Sequence, residues 1–396
     1  MVILSEKNLV IVSNAYPNLE KNFTQGIFIK NQMDAIKKEF KNIYVISPIL
    51  RDLGLLEKSR KCENYSYDNI IVQYPKSIFI PKQYTKRLNI DFRLRKIEKL
   101  IKKIPEDIHL IHSHFGIIGK LISPLRTKLE IPLITSFYGY DAYQYIYDQK
   151  FYDELFTNFD VAIVLSNHMT NRLIELGCSP EKIKKIHIGI DLEKFKPIEK
   201  VVRNTENVEI LIVANFVEKK GILNAILAYS ELRKNNKNIH LTILGRGPLK
   251  ESITKLITDL KINDFVSVLD NYSTKDPRKS VLEHMQKCDI FLLPSIRDKT
   301  GDCEGTPIVL MEASSCEKPC VTTEHSGNPE IILHNKTGFV IPENNIKELV
   351  NRLETLINDS KLRKEFGVNG RKHIELEFDK NKQSKKLIEI YKQLLR

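Results

Sequence analysis

Short apolar runs alternate with amphipathic segments along the first half of the chain. The apolar runs predict buried strands, at residues 9–13, 43–47, 70–73, 109–113, 133–136, 161–165 and 186–188. The segments between them repeat apolar residues at helical spacing, at residues 27–38, 88–104, 117–128 and 168–176. Because a strand that is apolar on both faces needs cover on both faces, this alternation predicts a parallel sheet between two layers of helices.

The second half repeats the same alternation. Apolar runs predict strands at residues 209–214, 240–244, 266–269, 290–293 and 319–323. Helical spacing appears at residues 221–234, 248–260 and 307–315, and again from residue 346 onward. The repetition predicts a second sheet of the same kind.

A polar, charged stretch at residues 191–207 separates the two halves and predicts a linker. The fold class is therefore predicted as α/β, with two doubly wound, Rossmann-like domains at residues 1–190 and 208–379. Ligands of such sheets bind outside the carboxyl ends of the strands, so we expect a site in a cleft between the facing domains.

Composition narrows the class of protein. The chain of 396 residues is too long for one ordinary core, and its 42% hydrophobic and 28% charged residues are typical of a globular protein. The six cysteines are scattered without a Cys-x-x-Cys pair, so we expect free thiols and no metal site. The start has no export-signal pattern and no apolar run is long enough for a membrane span, which predicts a cytoplasmic protein.

The net charge of +12 favours phosphate, anionic lipid or nucleic acid as a partner, although a lysine-rich composition explains it equally well. Residues 82–103 carry nine basic and two acidic residues around an apolar stripe. One interpretation is a core-facing helix with a basic outer face. The other adds a peripheral contact of that face with an anionic membrane. No nucleic-acid motif accompanies the charge, so we expect no nucleic-acid partner.

The most specific pattern follows the predicted strand at 290–293. Thr306 is a good N-cap and Pro307 suits the first helical turn, so a helix is predicted to begin at Pro307. A helix start offers free N–H groups and partial positive charge to an anion. Glu304 precedes this start and Glu312 lies inside the helix, and carboxylates accept hydrogen bonds from pairs of hydroxyls. An anion site beside two such acids fits a sugar attached to a diphosphate.

The segment Glu304-GTPIVLM-Glu312 resembles the Glu-x7-Glu signature of retaining glycosyltransferases of the group-1 class, glycosyltransferase family four. Other segments resemble the same family across nearly the whole chain: GIFIKNQMDAI, IHSHFG, FYGYDA, GIDLEKF, VEKKGILNAILAY, LTILGRGPL and SGNPEIILHNKTGFVIP. The resemblance implies the GT-B fold, two Rossmann-like domains facing across a cleft. It also implies a final helix, at about 380–396, that packs back onto the first domain.

The resemblance assigns roles to individual residues. Glu312 is expected to bind the ribose hydroxyls of the nucleotide, and Glu304 a hydroxyl of the donor sugar. Lys220 is expected to contact the diphosphate, while the turn at Gly26 leaves room for it. The predicted donor site comprises Gly26, Asn215, Lys220, Arg246, Glu304, Gly305, Thr306, Pro307 and Glu312. Lys220 and the helix start are donors for the charge of the leaving diphosphate, so no metal is expected.

The chain departs from the family pattern at two places. Asn215 stands five residues before Lys220, where the family usually has an arginine, and Arg246 or Arg297 are the candidate replacements. The frequent His-Gly-x-Asp of the first domain reads Tyr-Gly-Tyr-Asp at residues 138–141. The predicted catalytic residues are His114 and Asp141 on the acceptor side and Lys220 and Glu304 on the donor side. The alternative for His114, as for His112, is a histidine buried in the core with its hydrogen bonds satisfied. The alternative for Asp141 is a residue that caps the next segment.

The predicted activity is transfer of a sugar from a nucleotide diphosphate sugar to a hydroxyl of a glycan or lipid-linked saccharide, with retention of anomeric configuration. No cofactor is expected, since the nucleotide sugar is a substrate. Two alternatives stay open: a nucleotide-sugar epimerase of the same build, and a two-domain sugar-binding protein without activity.

Overall fold

The chain folds into two units, each built on its own sheet. The computed structural model describes residues 3–18, 25–48, 62–75, 88–143, 149–198, 207–274 and 276–396. Unit 1 comprises Met1–Ile186 with Lys380–Arg396, and unit 2 comprises His187–Asp379.

The sheet of unit 1 has eight strands in the described part of the chain. They are β1 (Asn8–Ser13), β2 (Asn42–Ile46), β3 (Tyr65–Tyr67), β4 (Ile70–Gln73), β5 (Leu110–His114), β6 (Leu133–Ser136), β7 (Val161–Val164) and β8 (Ile183–Lys185). Their order is β3-β4-β2-β1-β5-β6-β7-β8, and the short edge strand β3 is antiparallel to β4 while the other pairs are parallel. The order reverses between β1 and β5, so the loops after these strands diverge at the carboxyl edge.

Helices connect these strands. They are α1 (Ile27–Ile36), α2 (Leu88–Ile101), α3 (Gly116–Ile122), α4 (Pro124–Leu129), α5 (Tyr140–Tyr143), α6 (Asp153–Asn158) and α7 (Asn167–Glu175). The last helix of the chain, α15 (Lys380–Leu394), also belongs to unit 1. Its buried Tyr391 packs edge-on against Phe40 and its hydroxyl meets Nδ1 of His112 at 2.7 Å.

The sheet of unit 2 is wholly parallel. Its strands are β9 (Val208–Val213), β10 (Ile239–Leu244), β11 (Val266–Leu269), β12 (Ile290–Leu293), β13 (Cys320–Thr323) and β14 (Gly338–Ile341). Their order, β11-β10-β9-β12-β13-β14, is the 3-2-1-4-5-6 order of a Rossmann sheet. The helices are α8 (Ile222–Asn235), α9 (Lys250–Asp259), α10 (Pro277–Lys287), α11 (Ile308–Ser315), α12 (Asn328–Ile331), α13 (Ile346–Asn358) and α14 (Ser360–Glu377).

Several predicted boundaries are wrong. The strand predicted at 186–188 is β8, three residues earlier. The helix predicted at 117–128 is two helices, α3 and α4, because Pro124 has no N–H to continue the first. The predicted N-cap Thr306 lies one residue too early, since Pro307 immediately precedes α11.

The described first part of the predicted linker, residues 191–198, lies in unit 2. Ile190 pairs with Asp379 in a β-bridge, and Phe195 is only 2% exposed within the core of unit 2. Within the predicted linker, the surrounding charges concealed one large apolar side chain, that of Phe195, which is buried. Residues 199–206 lie outside the described residues.

The basic segment at 82–103 falls partly on α2. Ile97 and Ile101 are buried, whereas Arg95 and Lys99 are exposed, which fits a core-facing helix with a basic outer face. Residues 82–87 lie outside the described residues.

Gly26 allows a close backbone approach at the start of α1. Its φ is 75°, and a Cβ added there would lie 1.6 Å from the carbonyl oxygen of Ala15, in the loop that follows β1. Neither the Cα of Gly26 nor the carbonyl oxygen of Ala15 can shift to relieve this clash unless a whole backbone segment moves. This contact within unit 1 is a sufficient reason for glycine at the position, apart from any ligand.

We predict that Gly26→Ala destabilises the protein far more than Gly177→Ala. Gly177 also has a left-handed φ, +91°, but a Cβ there would meet nothing within 4 Å. Gly177→Ala should therefore cost only the left-handed strain of roughly 1–2 kcal/mol. Gly26→Ala adds an overpacking cost of roughly 1–3 kcal/mol. Thermal and urea unfolding of both variants measures the difference, and equal losses would contradict the close approach.

Candidate functional site

The site in unit 2 begins where its strand order reverses, between β9 and β12. The loops that leave these strands, at residues 214–221 and 294–307, interlock. Gly221, with φ 62°, would place a Cβ 1.8 Å from the carbonyl oxygen of Pro294. The Ile296 N–H also donates to the carbonyl of Lys219 at 2.9 Å. The backbones of the two loops are thus fixed against each other.

Two ion pairs join the same loops. Lys220 Nζ lies 2.7 Å from Glu304 Oε1, with side chains 13% and 9% exposed, and Lys219 Nζ lies 2.8 Å from Asp302 Oδ2. Burial alone would raise the pKa of Glu304, but the charges of Lys220 and Lys219 outweigh it and lower the pKa below its usual range. Glu304 is therefore ionised at neutral pH, and the ammonium group of Lys220 is in direct contact with its carboxylate.

Glu312 lies in α11 and is only 1% exposed. Its Oε1 accepts from Nη2 of Arg278, at the start of α10, at 2.6 Å. Its Oε2 is buried and has no hydrogen-bond partner among the described residues. Burial raises the pKa of Glu312 despite the charge of Arg278. One oxygen is thus fixed, and the other is a vacant acceptor.

The start of α11 lies between the two glutamates. Gly305, Thr306 and Pro307 are all buried. Within the described part of the chain, no side chain caps the first turn of α11. Its leading N–H groups therefore have the orientation that favours an anion.

The backbone of Glu304 is held from a third loop. Its N–H donates to Nε2 of His325, which follows β13, at 2.9 Å. Nδ1 of His325 meets Oε1 of Glu343, which follows β14, at 2.6 Å. The other oxygen of Glu343 accepts from the N–H of Arg297 at 2.8 Å.

The remaining predicted donor residues lie around this centre. Asn215 is exposed in the loop after β9. Arg246 is exposed after β10, and its carbonyl accepts from the Phe216 N–H at 2.8 Å, next to Asn215. Arg297 is exposed and turned to Cys303, with Nε 3.4 Å from its sulfur. Of the two arginines, Arg246 is the one in direct backbone contact with the loop that carries Asn215.

The predicted catalytic residues of the first half meet at the carboxyl edge of unit 1. Nδ1 of His114 lies 2.6 Å from the hydroxyl of Tyr138. Asp141 accepts from the N–H of Gly116 at 2.7 Å and from that of Tyr138 at 2.9 Å. Burial raises the pKa of Asp141 to about 6, although these backbone bonds oppose it. Both carboxylate oxygens of Asp141 thus accept hydrogen bonds from backbone N–H groups, as the capping alternative expects.

Burial lowers the pKa of His114 well below its usual range and that of His112 to about 3, so both rings are neutral. His112 bridges Tyr391 and the Ser136 hydroxyl, at 2.7 and 2.8 Å, and is a satisfied core histidine. His114 differs, because its buried Nε2 has no partner among the described residues.

Sequence reasoning missed Arg278, His325 and Glu343. Arg278 is 34 residues from Glu312, and no local pattern links them. The sequence Asp276-Pro277 could have predicted the start of α10, but nothing in it indicates that Arg278 contacts Glu312. His325 and Glu343 follow adjacent strands, so only the strand order could have suggested that they meet.

The described residues contain neither a candidate metal site nor a candidate membrane-spanning helix. In the described ranges, no group of three or more His, Cys, Asp or Glu side chains could hold a metal ion. No described helix has the length and apolar character needed to cross a membrane.

Comparison with known proteins gives consistent matches in both halves. Residues 193–373 match the family profile described as Glycosyl transferases group 1, and residues 49–194 match Glycosyltransferase Family 4. The amylovoran biosynthesis glycosyltransferase AmsK of Erwinia amylovora is 33% identical over 298 residues, 74% of this chain and 72% of AmsK. The putative colanic acid biosynthesis glycosyltransferase WcaL of Escherichia coli K12 is 33% identical over 246 residues, 61% of this chain and 59% of WcaL.

Solved structures match the fold over nearly the whole chain. A sucrose-phosphate synthase from Thermosynechococcus elongatus has a TM-score of 0.76 at 16% identity, covering 98% of this chain and 99% of its own. Anabaena HepE in complex with UDP has a TM-score of 0.72 at 14% identity, covering 98% and 100%. The fold is the GT-B type that the sequence predicts, and the chain belongs to the group 1 glycosyl transferases, glycosyltransferase family 4.

Proposed function

We propose that this glycosyltransferase moves a sugar from a nucleotide diphosphate sugar to a hydroxyl of a glycan or lipid-linked saccharide, with retention of configuration. The observation that carries the proposal is the Lys220–Glu304 ion pair at the reversal of strand order, beside the vacant oxygen of Glu312. This set offers a cation for phosphate and one carboxylate for a hydroxyl within the interlocked loops, and a second carboxylate on α11, the helix that follows them.

In this proposal, the side chains of the site change their hydrogen-bond partners when the donor binds. Glu312 Oε2 accepts from a ribose hydroxyl, while Arg278 holds Oε1 and orients the carboxylate. Lys220 turns from Glu304 to the diphosphate, and Glu304 accepts from a hydroxyl of the donor sugar. The free N–H groups at the start of α11, after Gly305, Thr306 and Pro307, face the same phosphates.

The reaction is a transfer on one face of the sugar. The bond from the anomeric carbon to the phosphate oxygen breaks, the acceptor oxygen bonds to that carbon on the same face, and the acceptor proton passes to the departing phosphate. Lys220 and the start of α11 stabilise the growing negative charge, so the proposal requires no metal. Arg246, whose backbone contacts the loop of Asn215, is the second cation in place of the family's usual arginine.

We place the acceptor on unit 1. His114 is neutral and its Nε2 is vacant, as suits a hydrogen bond with an uncharged hydroxyl. Asp141 acts through the backbone that it holds at Gly116 and Tyr138. The names of AmsK and WcaL, which refer to amylovoran and colanic acid biosynthesis, support an acceptor in polysaccharide biosynthesis.

A donor screen followed by product analysis tests the activity. Thermal shifts across UDP-, GDP-, ADP- and dTDP-sugars identify the donor, because a ligand at 100 times its Kd stabilises by about 2.7 kcal/mol. Transfer to a saccharide acceptor with the donor's anomeric configuration, read by NMR, supports the proposal. Conversion of the donor alone to an isomeric nucleotide sugar supports the epimerase alternative, and binding without turnover across an acceptor panel supports the sugar-binding alternative.

The first prediction here is that Glu312→Gln weakens nucleoside diphosphate binding at least tenfold, because a hydrogen bond to a charged group is worth about 1.5–3 kcal/mol. At pH 7 the Glu312→Gln variant should be at least as stable as the wild type. The raised pKa of Glu312 means that its ionised form lowers the free energy of unfolding, and glutamine removes that charge. Calorimetry with UDP and GDP measures the affinity.

Glu317→Gln is the matched control for this prediction. Glu317 follows the end of α11 and is half-buried. Its loss should leave the affinity unchanged. Equal affinities of wild type and Glu312→Gln would remove Glu312 from the ribose site.

The second prediction is that Lys220→Ala lowers kcat by about 10²-fold with a smaller change in donor KM, since the cation matters most as the phosphate departs. Lys220→Arg should recover only part of the rate, because a planar fork does not replace a point charge. Asn215→Arg should hold or raise the rate. Steady-state kinetics measures all three.

Lys219→Ala is the control, because Lys219 is the neighbouring lysine and pairs with Asp302 instead. It should reduce kcat much less than Lys220→Ala. A near-normal kcat for Lys220→Ala would move the phosphate site to Arg246 or Arg297.

We also propose a peripheral contact between the outer face of α2 and an anionic membrane at the cytoplasmic face. The third prediction is that reversing exposed Arg95 and Lys99 of α2, with exposed Lys103 just beyond its end, to Glu releases the protein from phosphatidylserine-containing vesicles. Each basic residue near such a surface contributes about 1 kcal/mol. Reversing exposed Lys255, Lys347 and Lys361 of unit 2 changes the net charge equally and should have little effect. Equal flotation of the two variants at low salt would exclude the contact.

A further inference from the structure

One carboxylate, that of Glu343, secures both ends of the loop that carries Glu304. Its Oε2 accepts from the N–H of Arg297 at 2.8 Å. Its Oε1 meets Nδ1 of His325 at 2.6 Å, and Nε2 of His325 accepts from the N–H of Glu304 at 2.9 Å. Glu343 therefore holds residue 297 directly and residue 304 through the ring of His325.

The hydrogen bonds define the state of the histidine. Nε2 accepts a backbone N–H, so it carries no proton, and the single ring proton lies on Nδ1 and is donated to Glu343. His325 is 1% exposed, and both its nitrogens are occupied. His325 consequently has no free atom for a substrate and acts only through Glu304.

Donor binding makes the backbone of Glu304 important. In the proposed function, Lys220 leaves Glu304 for the diphosphate, so the carboxylate loses the cation that fixes it at 2.7 Å. From then on the position of Glu304 depends on its main chain. A main chain held by a buried hydrogen bond confines the carboxylate to side-chain rotations, as a preorganised site requires.

We propose that His325 and Glu343 are positioning residues, which hold the main chain of Glu304 so that its carboxylate meets the donor sugar once Lys220 has turned to the diphosphate. The inference rests on the proposed role of Glu304 at the donor sugar. A merely structural role would instead affect folding stability and all ligands alike.

The test uses two amides at one position. In His325→Gln the longer side chain can place an acceptor where Nε2 lies and so keeps the bond to Glu304. In His325→Asn the shorter side chain reaches Glu343 but not Glu304. Both variants remove the ring and add no charge, and they differ in which bond of His325 survives: the bond to Glu304 in His325→Gln and the bond to Glu343 in His325→Asn.

The readout is the ratio of two affinities measured by calorimetry on the full-length protein. The numerator is the Kd of a nucleotide sugar and the denominator that of its nucleoside diphosphate. UDP-glucose with UDP and GDP-mannose with GDP are the probes, and the pair that binds the wild type is used. Mispositioning of Glu304 weakens only the sugar contact, whereas the nucleoside diphosphate still meets Glu312, Lys220 and α11.

His325→Asn should raise this ratio about tenfold, as expected for a lost hydrogen bond to a charged group. His325→Gln should change it less than about twofold, because the bond from the N–H of Glu304 and the bond from Arg297 to Glu343 both remain, and the melting temperatures of the two variants should agree. Glu343→Ala, which frees His325 and the N–H of Arg297 together, should also raise the ratio. Equal ratios for the two amides would overturn the proposal, as would a normal ratio in His325→Asn.

Glu304→Ala separates this failure from that of the proposed function. If it raises the ratio and His325→Asn does not, Glu304 contacts the sugar without help from His325. If Glu304→Ala leaves the ratio unchanged, the sugar contact itself is wrong, and the positioning role that rests on it is overturned as well.

Discussion

A buried carboxylate is tolerated only where a cation or hydrogen-bond donors meet it, and for Glu304 that partner is the cation of Lys220. The two side chains come from loops that leave β9 and β12, strands that are adjacent only because the sheet reverses its order between them. Parallel strands bring those loops to one edge, and glycine at residue 221 lets their backbones touch. The ion pair thus depends on the whole topology of unit 2, and it places opposite charges where a ligand can separate them.

The two glutamates of the opening motif illustrate how environment divides the work of identical side chains. Two lysines lower the pKa of Glu304, and burial raises that of Glu312 although Arg278 opposes it. Glu304 is a charge neutralised by Lys220, and in the proposed function it is released when Lys220 turns to the diphosphate. Glu312 is a fixed acceptor with one oxygen already used. The first state suits a contact that forms late in donor binding, and the second suits recognition of a nucleotide that does not change during the reaction.

Much of this was readable from the sequence. Alternating apolar runs and helical spacing predict two doubly wound sheets, because strand burial and helix periodicity are local properties of the chain. The glutamate spacing and the lysine before Gly221 could be recognised because the family resemblance fixes their order along the chain. Phe195 was misjudged, since charged neighbours surround an apolar side chain that is buried only through tertiary contact.

Partners distant in sequence could not be predicted. Arg278 meets Glu312 across 34 residues, and His325 meets Glu343 only because β13 and β14 are neighbours in the sheet. A helix start or a strand end can be predicted one element at a time. A hydrogen bond between two such ends requires the strand order, which a single sequence states only indirectly.

The contrast between the two carboxyl edges argues for a division of substrates. At the edge of unit 1, burial keeps His114 neutral and raises the pKa of the Tyr138 hydroxyl, so the pair carries no charge at neutral pH. Asp141 beside them has its pKa raised to about 6, with both oxygens held by backbone N–H groups. Unit 2 instead presents lysines and an ionised Glu304. A diphosphate requires positive charge, whereas a saccharide hydroxyl can be bound by neutral hydrogen-bonding groups alone. Tyr138, standing where the family often has a histidine, fits the second case because its hydroxyl joins a neutral network through His114.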